Sequence, residues 1–137
     1  ELFEEHSTYL VSIGATLGKV SLCIEKASAN QQINVITFDK EIINPFYGYL
    51  FILGNAEMIL NEADYTTLPI LNQSKLNNIS FAVPDKGEQT EIVKHIEKES
   101  ARIDSKIAKT EKYINLLTDY RTALISEVVT GKIKVID

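Results

Sequence analysis

The chain has 137 residues, of which 45% are apolar and 24% charged, with a formal net charge of −5. That length and composition suit one modest globular domain with its own core, and the charge argues against tight, nonspecific binding to a polyanion, which needs clustered Lys and Arg. The longest apolar stretch, "FYGYLFILGNAEMIL", is interrupted by Gly48, Gly54, Asn55 and Glu57 and falls short of the roughly 20 apolar residues of a membrane span.

The opening segment, "ELFEEHSTY", has neither the basic nor the apolar region of a secretory signal, and without an initiator Met the chain reads as an excised or processed piece or a fragment of a larger protein rather than as a complete product. "YLVSI" (Tyr9–Ile13) and "KVSLCI" (Lys19–Ile24) read as two strands of a hairpin, joined by "GATLG", whose glycines supply positive φ. The single cysteine, Cys23, excludes an internal disulfide and a four-Cys zinc site; it reads as a buried thiol in a reducing cytoplasm. "INVITF" (Ile33–Phe38) alternates and makes a third strand. Asn44 and Pro45 then open a helix whose core-facing side is read as Phe46, Tyr49, Leu50, Leu53 and Leu60. A loop follows, with a short helical turn after Ser74, and "ISFAV" (Ile79–Val83) reads as a last strand ended by Pro84.

Asp85 and Glu88 form a capping-box-like pair at the start of a long helix, uninterrupted by Pro or Gly from Glu88 to Thr130 and stopped at Gly131. Such a helix has about 42 residues and a length of roughly 63 Å. Val93, Ile96, Ile103, Ile107, Ile114, Leu117, Leu124 and Val128 recur at alternating three- and four-residue steps, the period of a coiled-coil seam, while Ser100, Thr110 and Arg121 make it imperfect. A globular part with a radius of gyration of about 12 Å is too small to cover this stripe. It calls for a second long helix, from another part of the polypeptide or from a second copy. The expected fold is therefore α+β: a globular head over residues 1–84, a long spacer or dimerisation helix over 85–131, and a strand-like tail over 132–137.

Charge is unevenly distributed. Residues 1–86 carry ten acidic and five basic groups, hence −5, whereas residues 87–137 carry nine of each. No catalytic constellation emerges. "GATLGK" has three residues rather than four between its glycines and Val20 where a phosphate loop needs Ser or Thr. Pro84-Asp85 with Asp104-Ser105-Lys106 imitates a nuclease motif, but its second half lies mid-helix, and His6 and His95 have no ligand cluster beside them. The sequence implies neither a cofactor nor a metal. Asn30, Gln31 and Gln32 are different, because amides before a strand can contact adenine edges, although a solvated turn uses the same residues.

The order of motifs adds a family resemblance to these readings. "LVSIGATLGKVSLCIEKASANQQINVI", a helix, "LNNISFAVPDKGEQTEIVKHIEKESARIDSKI" and "YRTALISEVVTGKIKV" together resemble the specificity subunit of type I restriction-modification systems over nearly the whole chain. The resemblance implies a non-catalytic, cytoplasmic DNA-recognition fragment: part of one target-recognition domain and its spacer helix, which pairs antiparallel with a second. It implies double-stranded DNA as ligand and separate modification and restriction subunits as partners. Thr16, Lys19, Asn30, Gln31 and Gln32 are then the expected DNA contacts, with Lys19 on phosphate. A coiled-coil interaction module without DNA binding is the alternative reading.

Overall fold

The computed structural model describes residues 2–65 and 69–135. It divides into two compact units, Glu1–His95 and Ile96–Asp137. In the first, β1 (Thr8–Val11) lies between β2 (Val20–Leu22) and β3 (Ile33–Ile36) in an antiparallel sheet. The Val11 N–H donates to Lys19 O and the Cys23 N–H to Ser7 O, both at 2.9 Å, so odd-numbered residues of β1 direct their backbone groups to β2. The Ser12 N–H donates to Gln32 O at 2.8 Å, so even-numbered ones serve β3. The hairpin and the third strand form as their alternation predicts. Cys23 is half-buried rather than buried, because β2 ends at Leu22 and the thiol lies just beyond, 2.6 Å from Glu25 O.

Asn44 caps α1 (Pro45–Gly54) by accepting the Phe46 N–H at 3.0 Å. After Asn55 the chain continues as α2 (Ala56–Asn61). The buried line is Gly48, Ile52 and Ile59, whereas Phe46 and Leu53 are exposed, contrary to the expected face. Nearly every residue of α1 is apolar, so periodicity alone cannot select a side. Glycine does: a Cβ at Gly48 would collide with the Phe38 ring, and its absence lets the helix backbone approach that ring. Leu10, Ile52, Ile59, Ala63 and Leu71 form the core, with Leu17, Val20, Ile36 and Phe38 packed around them.

Two short strands interrupt the expected loop, β4 (Asp64–Tyr65) and β5 (Pro69–Ile70), paired antiparallel. Strands of two residues are too short to show an alternating pattern. Asn72 then caps α3 (Gln73–Asn77) by accepting the Lys75 N–H at 2.9 Å. Residues 79–83 join no ladder and are not a strand; Phe81 instead stacks on Phe51, with ring centroids 4.0 Å apart.

Helix α4 (Lys86–Val129) has 44 residues and begins where Asp85 Oδ1 accepts the Glu88 N–H at 3.0 Å. Gln89 is fully buried at this start. Its Oε1 accepts the Asn44 N–H at 2.7 Å, and its Nε2 donates to Ile42 O at 3.0 Å and Pro84 O at 2.9 Å. At the other end Gly131 takes φ +73°, with its N–H donating to Val128 O and the Lys132 N–H to Glu127 O at 2.9 Å, which closes a Schellman cap. Residues 132–135 of the expected strand-like tail form no ladder, and Ile136 and Asp137 lie outside the described residues.

Candidate nucleic-acid interface

The antiparallel topology brings separate parts of the sequence to one end of the three-stranded sheet. β1 ends there, whereas β2 and β3 begin there. Residues 14–19 connect β1 to β2, and residues 30–32 lead into β3. Thr16, Lys19, Asn30, Gln31 and Gln32 are all exposed. The structure therefore places all five expected contacts at the same sheet end, in two neighbouring segments.

Backbone bonds hold both segments. Gly14 and Gly18 take φ +88° and +86°, the Leu17 N–H donates to Gly14 O at 3.0 Å, and the Gly18 N–H donates to Val11 O at 2.9 Å. A Cβ at Gly18 would lie 2.8 Å from Leu60 Cδ1, so this glycine also permits the loop to rest on α2. Asn30 Oδ1 accepts the Gln32 N–H at 3.0 Å and Asn30 O the Ile33 N–H at 3.1 Å, a turn in which this amide serves its own backbone. Gln31 and Gln32 keep their side-chain amides free of such bonds within the described residues.

Ser12, which is 4% exposed, joins the parts. Its N–H and Oγ both donate to Gln32 O, at 2.8 and 2.9 Å, and its carbonyl accepts the Leu71 N–H at 2.9 Å. The Gly14 N–H donates to Pro69 O at 3.1 Å, and Ile13 bridges Ile70. The β4–β5 pair thus abuts the same end, an association the residue pattern did not indicate. Lys19 is the single cation among the five positions, while Lys75 is paired with Asp64 at 2.6 Å. Among the described residues no group of three or more His, Cys, Asp or Glu side chains could hold a metal, and no helix is long and apolar enough to cross a membrane.

The second candidate surface is the helix stripe. Val93 is not available to it, being 8% exposed and part of the first compact unit. Ile96 and Val128 are half-buried, while Ile103, Ile107, Ile114, Leu117 and Leu124 are exposed. Tyr113, Leu116 and Tyr120, also exposed, lie beside this seam and widen the apolar arc to about 180° around the axis. They were missed because a heptad template admits only two positions in seven; a count of all apolar residues per turn would have found them.

The family model for the type I restriction modification DNA specificity domain matches residues 1–116. The chain belongs to this family. Two Escherichia coli proteins are similar to this specificity-domain chain. It is 26% identical over 108 residues to the type I restriction enzyme EcoDI specificity subunit, covering 79% of the chain and 24% of that relative. It is 25% identical over 111 residues to the EcoBI specificity subunit, covering 81% and 23%. The chain thus spans about a quarter of these relatives' length. The fold is also that of the crystal structure of a type I restriction-modification system S subunit from M. genitalium, with a TM-score of 0.60 at 19% identity over 74% of this chain and 28% of that one.

Proposed function

We propose that this specificity-domain chain recognises part of a DNA target and contributes a spacer helix to a type I restriction-modification complex, without catalysing a reaction itself. The observation that carries the reading is the convergence of the 14–19 loop and the 30–32 turn at one end of the sheet in a member of this family. Lys19 would hold a phosphate, Thr16 would approach the backbone beside it, and Gln31 and Gln32 would meet base edges, each good bidentate pair contributing about 1–3 kcal/mol of discrimination. Asn30 shapes the turn and supplies its remaining amide donor.

In this proposal, modification and restriction subunits assemble on the complete subunit and perform the chemistry, and the modification subunits supply the cationic grip that a chain of net charge −5 lacks. The Ile103–Val128 stripe pairs antiparallel with a second long helix. For the chain alone a second copy is the substitute, through a twofold, isologous contact.

Two experiments test these parts. In the complete subunit, Gln31→Ala should change sequence preference more than nonspecific affinity, as read in competition binding with base-substituted duplexes. Unaltered preference in this and the Gln32→Ala variant would remove both amides from the site. Ile107→Asp should dissociate the pair in light scattering while circular dichroism retains the folded head. A wild-type chain that remains monomeric at high concentration with its helix intact refutes the pairing. Exposure of the apolar stripe favours one further reading, an interaction module without DNA binding, and salt-dependent, sequence-specific shifts by the complete subunit would exclude it.

A further inference from the structure

We propose that the open edge of β3 is a docking edge for an extended strand supplied by the specificity-subunit polypeptide outside these 137 residues. It rests on membership of the family and is independent of the DNA-contact residues. β3 is a terminal strand of its sheet, and its even-numbered residues face β1 through the register Leu10↔Asn34 and Thr8↔Ile36. Its odd-numbered residues therefore turn their backbone groups outward. The Ile33 N–H is satisfied by Asn30 O at 3.1 Å. Among the described residues the Val35 N–H and C=O and the Ile33 C=O have no partner.

Beside them runs a groove of about 500 Å³. Consecutive residues from Ile33 to Phe38 line it, from both faces of the strand, so the groove follows the strand's edge rather than one face. Its other wall includes Leu76, Ile79 and Phe81, and Phe3 and Ile52 contribute further apolar surface. None of its lining residues is charged.

These features select the occupant. Natural sheet edges are usually blunted by charge, Pro or a bulge. "INVI" carries neither charge nor Pro and follows a regular register. One unpaired amide and two unpaired carbonyls in an uncharged groove, where Asn34, Thr37, Gln73 and Asn77 stand among the apolar side chains, suit a neutral extended peptide, whose backbone completes the ladder while alternate side chains fill the groove. A nucleic-acid strand finds no cation there. A specificity subunit as long as the EcoDI relative has ample chain to supply such a strand, since the 108 aligned residues are 24% of that relative.

Amide hydrogen exchange on the 137-residue chain and on the product of the complete gene tests the proposal. In the chain alone the Asn34 and Ile36 amides should be protected and the Val35 amide should exchange freely. In the complete subunit the Val35 amide should slow by about tenfold or more as it gains a partner. Equal Val35 exchange in both proteins overturns the proposal. So does protection in the chain alone that rises with its concentration, which assigns the edge to a second copy, or protection that requires added DNA. Loss of base preference in the Gln31 and Gln32 variants leaves the exchange result unaffected, so the two readings fail separately.

Discussion

Gln89→Met isolates the hydrogen bonding of the amide at the start of α4, because methionine keeps the side chain's length and apolar stem. It removes the bond from the Asn44 N–H at 2.7 Å and the two bonds to Ile42 O and Pro84 O at 3.0 and 2.9 Å. At about 1 kcal/mol net for each bond, the loss is about 3 kcal/mol. Ile42 is 59% exposed, so solvent can reach its surroundings, but the half-buried Asn44 N–H loses its acceptor and adds part of a penalty of about 1–3 kcal/mol. The expected total is about 3–5 kcal/mol, a large share of the roughly 5–15 kcal/mol that stabilises a typical domain. Urea unfolding followed by circular dichroism should show a lower midpoint at an unchanged slope. A Gln89→Met midpoint equivalent to less than about 0.5 kcal/mol of destabilisation would refute the reasoning. Gln89→Glu provides a pH control, since its carboxylate faces the Ile42 and Pro84 carbonyl oxygens and its folded-state pKa must rise. Stability of that variant is then present below the ordinary glutamate value of about 4.3 and lost as pH rises through the raised one.

Gly48→Ala should destabilise the first unit by about 1–3 kcal/mol in the same assay, because its Cβ meets the Phe38 ring; a neutral substitution would show that the ring moves aside at no cost. The Tyr9 phenol is pushed above its usual value of 10.0 by burial first and then by the neighbouring Cys23 thiol. A raised folded-state value gives stability that is fully present below the unfolded value and lost as pH rises through the folded one. Urea midpoints stepped through alkaline pH should therefore fall less steeply for Tyr9→Phe, and an unchanged alkaline fall would exclude this contribution.

Local signals were legible where one residue type has one strong physical use. Asn44 and Asp85 cap helices where expected, Gly131 terminates α4 in the left-handed region, and the alternation around Tyr9, Val20 and Val35 yields the three strands. Readings failed where pattern was uninformative or tertiary packing decided. α1 is apolar on all sides, so the collision avoided at Gly48 sets its buried face. "ISFAV" has a strand's composition, but Phe81 uses its ring on Phe51 rather than its backbone in a ladder. Val93 keeps the heptad step yet is buried within the first unit. For the candidate interface, the exposed residues were legible as polar punctuation, while Ser12, which fastens their backbones, reads in sequence as an ordinary strand-end serine.

That fastening separates two kinds of mutational freedom. The Gln32 carbonyl, not its amide, receives both Ser12 bonds, and the Lys19 carbonyl, not its ammonium, receives the Val11 N–H. The exposed side chains at Thr16, Lys19, Gln31 and Gln32 can therefore be exchanged with little disturbance to the ladder beneath them, whereas Gly18 and Ser12 cannot. A library randomised at those four positions would vary the chemistry of the sheet's end on an unchanged frame, and under the proposed DNA contact it would change the sequence read without refolding the unit.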